Sequence, residues 1–89
     1  MRSEFKYLIF KNTELQTLAI IFPKEMSHKD VARIHRASEG PRLISAGFCM
    51  WFAAESRWSA YGKSESLNGM AARPEDVEIL TQSFPLHQE

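Results

Sequence analysis

Lys63, Ser64, Ser66 and Arg73 are the side chains of this 89-residue chain best placed by type and spacing to do chemistry. The first three fall in Gly62-Lys63-Ser64-Glu65-Ser66, the most polar stretch that still has the pattern of ordered structure. An ammonium, two hydroxyls and a glycine that permits close backbone approach could hold a phosphate or a carboxylate. Arg73, just ahead of a helix start, would add a guanidinium fork. The glycine spacing of a P-loop is missing. The simpler reading of the same residues is a solvated strand face with serines paired across the sheet. Ser45 either adds a third hydroxyl or fits a tight spot beside Gly47, and the tight spot is the better account.

Other chemistry-bearing residues point away from catalysis. The single cysteine, Cys49, cannot form an internal disulfide and lies in an apolar run, so it reads as a core thiol rather than a nucleophile. His28, His35 and His87 lack a metal-binding spacing. No cofactor, metal or catalytic constellation is expected. Trp51 and Trp58 crowd one turn together with Phe48 and Phe52. Rings so placed are either core or the centre of an interface. Lys29, Arg33 and Arg36, with Arg42 just beyond, make a small basic stripe. It is a solvated helix face or a contact for an acidic partner.

The elements that must position these residues follow from pattern. Residues 5–12 and 17–22 read as a hairpin, apolar on both faces of its first strand and closed by Pro23. Ser27-His28-Lys29-Asp30 has the form of a capping box and opens a short helix to about residue 38, stopped by Gly40-Pro41. Residues 43–52 alternate as a strand, with Gly47 marking a bulge or a close backbone approach. Residues 58 to about 67 return as its partner, with Gly62 interrupting the strand as a second bulge. Pro74-Glu75-Asp76 starts a last helix to about residue 83, and residues 86–89 are a tail. The expected fold is a single α+β domain over residues 1–89. Its order is β-β-α-β-β-α: a four-stranded, mostly antiparallel sheet with two helices on one face.

Three segments resemble a group of small bacteriophage and prophage proteins. They are Ile44-Ser45-Ala46-Gly47-Phe48, Tyr61-Gly62-Lys63-Ser64-Glu65-Ser66-Leu67 and Arg73-Pro74-Glu75-Asp76. The shared pattern is S-A-G-F, Y-G-x-S-x-S-L and R-P-E-D, covering roughly residues 43–80. Ala71-Ala72 departs from it where a polar, helix-capping residue is expected. The resemblance implies a setting rather than a reaction: an accessory protein acting in the cytoplasm of an infected bacterial cell.

Eleven basic and eleven acidic residues leave no net charge, which disfavours nucleic acid as a partner. No apolar run is long enough to span a membrane. The expected function is non-enzymatic: binding and blocking a host protein, with antiviral defence as the natural target. Trp51, Trp58, Arg33 and Arg36 are the interface candidates. The alternative is a small-ligand binder that captures a nucleotide or phosphorylated metabolite on Lys63, Ser64, Ser66 and Arg73. A homodimer, sheet-to-sheet or edge-to-edge, is also expected, because two helices on one face would leave the other apolar face uncovered.

Overall fold

The structure is a computed structural model and describes residues 4–35 and 41–85. β1 (Glu4–Lys11) and β2 (Thr17–Pro23) form the hairpin. Its turn is organised by Asn12, whose Oδ1 accepts the N–H groups of Glu14 and Gln16 at 2.9 Å each. α1 (His28–His35) follows, then β3 (Arg42–Phe52) and β4 (Arg57–Tyr61). A two-stranded ribbon, β5 (Lys63–Ser64) and β6 (Met70–Ala71), leads to α2 (Asp76–Ser83). The main sheet is antiparallel throughout in the order β2-β1-β3-β4. The α+β architecture and the order of its main elements are those read from the sequence.

The helices do not share a face. Leu8 and Phe10 pack with Phe22, Val31 and Ala32, beneath α1. Tyr7 and Ile9 pack with Cys49, Trp58 and Leu80, beneath α2. Strand side chains alternate between faces, so one helix covers each side of the sheet. Leu8 and Ile9 are adjacent, both fully buried, and belong to opposite cores. Each contributes about 1.5–3 kcal/mol by leaving water. The apolar residues on both faces of β1 are thus explained within one chain. A dimer through an uncovered sheet face loses its premise.

α1 begins as its capping signature implies: Ser27 Oγ accepts the Asp30 N–H at 3.0 Å. The Gly40 stop signal and Arg36 lie outside the described residues. β4 is shorter than the strand to about residue 67 expected from the sequence. Gly62 adopts φ +78°, a left-handed conformation that breaks the strand, and pairing with β3 ends at Phe48↔Tyr61. Ser45 pairs with Ile9 of β1 and has no ladder partner in β4. After Gly62 the chain forms the ribbon, closed by a 3-10 turn (Glu65–Leu67) and left-handed Asn68 and Gly69. The ribbon packs beside β3, whose residues before Phe48 have no β4 partner.

Candidate functional site

The motif residues divide into two groups, one joining the chain together and one lining a groove. The first centres on Asp76, a fully buried carboxylate at the start of α2. Its Oδ1 accepts from Arg73 Nε at 2.9 Å and Nη2 at 2.8 Å, and its Oδ2 accepts the Arg73 backbone N–H at 2.9 Å. The Tyr7 hydroxyl donates to the same Oδ2 at 2.5 Å. Burial, then this bond to a carboxylate, pushes the Tyr7 phenol well above its ordinary range. Arg73 is thus committed to an internal ion pair and is not aimed at a ligand. Sequence reasoning treated Asp76 only as a helix-start acid. The available signal was the Arg73-to-Asp76 spacing of three, which fits a bidentate fork.

Gly47 sits under the point where the ribbon leaves the sheet. A Cβ there would lie 2.8 Å from the Tyr61 carbonyl oxygen and 3.2 Å from Ala72 Cβ. The Gly47 carbonyl accepts from His28 Nε2 at 2.8 Å. His28 is buried, with Phe22 and Phe48 edge-on to its ring. Burial holds its pKa below the ordinary histidine value, and nearby Lys6 adds to the effect. A depressed native pKa means the unfolded chain binds the proton first. The contribution of His28 is therefore complete above about pH 6.5 and is lost as pH falls through the native pKa. The urea midpoint is expected to drop between about pH 7.5 and 5.5. His28→Gln, which keeps a donor without titrating, should flatten that part of the profile.

The second group forms the groove. Ser64 is buried, and its hydroxyl lies 3.3 Å from that of Ser66. Ser66 Oγ accepts the backbone N–H of Lys29 at 3.1 Å, fastening the 3-10 turn to the first turn of α1. Between them runs a groove of about 520 Å³. Its rim carries Lys29, Arg33, Ser66 and Asn68, and its floor is Ala32, Leu43, Leu67 and Met70. The Arg33 side chain is 71% exposed and among the described residues reaches only Asp30, at 4.0 Å. An apolar floor beside two cations suits a ligand with an apolar body and an anionic group.

The four residues expected to hold an anion do not converge. Ser66 lines the groove, Ser64 lies buried behind it, Lys63 is exposed on β5, and Arg73 faces Asp76. Of the interface candidates, Arg33 stands on the groove rim. Trp58 is 3% exposed, donates from Nε1 to the Phe84 carbonyl at 2.9 Å and belongs to the core under α2. Trp51 is half-buried edge-on to it. The tryptophan pair is therefore largely internal. Cys49 is fully buried, and burial pushes its thiol up to about 12, which suppresses the nucleophilic thiolate. Among the described residues no helix is long and apolar enough to cross a membrane, and no three His, Cys, Asp or Glu side chains gather as metal ligands.

No family model, curated protein or solved structure matches this chain.

Proposed function

We propose that this protein acts by binding rather than by catalysis, as a phage or prophage accessory protein that engages a host protein. The observation that carries the reading is the groove between α1 and the Glu65–Leu67 turn, where Lys29 and Arg33 border an apolar floor. It fits a segment bearing an acidic side chain next to an apolar one. The cations select the acid and the floor supplies burial. The resemblance of the C-terminal half to phage proteins supports the host setting, and antiviral defence is the natural class of target.

Capture from bacterial lysate tests this. The wild type should retain a host protein stoichiometrically, and Lys29→Glu/Arg33→Glu should lose it while remaining folded. Lys63→Glu, a charge change of the same sign away from the groove, should retain it. Capture that ignores the groove variant, or none at all, contradicts the reading. A second reading is favoured by the groove's volume, which lies in the range of small-molecule sites. A nucleotide or phosphorylated metabolite would place its phosphate on Lys29 and Arg33. It predicts a rise in melting temperature with a nucleotide panel, by mass action on the folded state, and a flat response removes it.

A further inference from the structure

β2 and β4 are the two edges of the main sheet, and they differ. β4 is five residues long and ends at the left-handed Gly62. Its Trp58 N–H is taken by Thr81 Oγ1 of α2 at 3.0 Å. β2 runs seven residues, TLAIIFP, with no charged side chain and no break in its register with β1. The Asn12 N–H donates to the Gln16 carbonyl. Antiparallel pairing alternates from that point. Residues 18, 20 and 22 thus exchange bonds with β1, while Thr17, Ala19 and Ile21 turn their N–H and C=O groups outward. Among the described residues nothing pairs with that outer side. Leu18 beside it is 51% exposed. Natural sheets blunt such edges with charge, proline, a bulge or a covering segment; among the described residues β2 has only Pro23, at its C-terminal end.

We infer that this edge pairs with β2 of a second copy of the chain, antiparallel about a two-fold axis, to make one continuous sheet across the dimer. The strand itself selects the register. An axis at Ala19 sets Thr17 opposite the partner's Ile21, so every outward-facing residue exchanges bonds with another. An axis at Ile21 would instead set Ala19 against the partner's Pro23, which has no N–H to give. In the Ala19 register Leu18 lies beside the partner's Ile20, and no like charges meet. Past the ends of the paired strands, the hairpin turn that carries Glu14 and the partner's Lys24, one residue beyond its Pro23, lie at the same end of the seam. Both residues are exposed, and among the described residues neither forms an ion pair. A second copy thus finds matched backbone groups, matched apolar side chains and opposite charges at both ends of the seam. The β2 edge is not part of the groove, so this inference stands apart from the binding reading.

Sedimentation equilibrium tests it. The wild type should sediment at twice the chain mass at micromolar concentration. Glu14→Lys should weaken association about tenfold, since it replaces two attractions with two repulsions across the axis. Glu14→Lys/Lys24→Glu should restore it, and Leu18→Lys should weaken it with the circular dichroism spectrum unchanged. A chain that stays monomeric into the high micromolar range overturns the proposal. So does a dimer indifferent to Glu14→Lys, or one that the double swap fails to rescue.

Discussion

Asp76→Ala is expected to destabilise the fold by about 3–5 kcal/mol, the cost of stripping a buried pair of one partner. Arg73 keeps some access to water at 29% side-chain exposure, which places the effect toward the lower end. A domain of this size has about 5–10 kcal/mol to lose, so the variant should be poorly folded at ambient temperature. Tyr7→Phe removes a single bond to a charged acceptor and should cost about 1.5–3 kcal/mol. The two residues share one oxygen, so their effects should not add. With Asp76 already replaced, Tyr7→Phe should cost far less, because the hydroxyl has lost its acceptor. Urea denaturation of the two single variants and the double variant checks this. Additive losses would show that the network does not act as a unit.

Gly47→Ala is the second large effect. Glycine is required here for space, since a Cβ at 2.8 Å from the Tyr61 carbonyl oxygen meets backbone that cannot rotate away. Tyr7 Cε1 at 3.3 Å closes another side. The ribbon would have to lift, at a cost of about 2–3 kcal/mol. Lifting it would also draw Ser66 from Lys29 and open the groove. Gly69 is the useful comparison: it has φ +80° but nothing within 4 Å of an added Cβ. Gly69→Ala should cost only about 1 kcal/mol of backbone strain. A Gly47 variant no less stable than the Gly69 variant would contradict the packing described for the ribbon.

Much of the fold was legible because it is local. The hairpin, the Ser27 cap, the β3 strand and the start of α2 each follow from periodicity or a terminal signal within a few residues. The placement of the helices was not legible. Apolar residues on both faces of β1 require cover on both faces, but the pattern does not say whether a helix or another chain provides it. β4 was read too long because Gly62 in the sequence reads as a bulge within a strand reaching Leu67, whereas its φ of +78° ends the strand and turns the chain into the ribbon. The candidate site shows the same limit. Ser66 and Arg33 stood out, but in separate hypotheses, and only tertiary packing brings the Glu65–Leu67 turn against α1. Arg73 stood out as a guanidinium fork for a ligand's phosphate or carboxylate, yet it is taken by Asp76, three residues along its own chain. Segments 45–48, 61–67 and 73–76 are accordingly, in large part, a folding signature. Gly47, Tyr61, Gly62, Arg73 and Asp76 close the ribbon onto the sheet, and the groove is the surface this closure creates.

The groove beside α1 is the surface proposed to meet the partner of this protein. The most direct test is an amide chemical-shift titration of the isotope-labelled protein with the captured host protein, or with the nucleotide that raises its melting temperature. The largest shifts are predicted at residues 28–33 and 65–70, with Leu43 beneath them, and little change at Trp51 or Trp58. Shifts centred on the tryptophan hairpin or on Lys63, with the α1 groove unmoved, would contradict it.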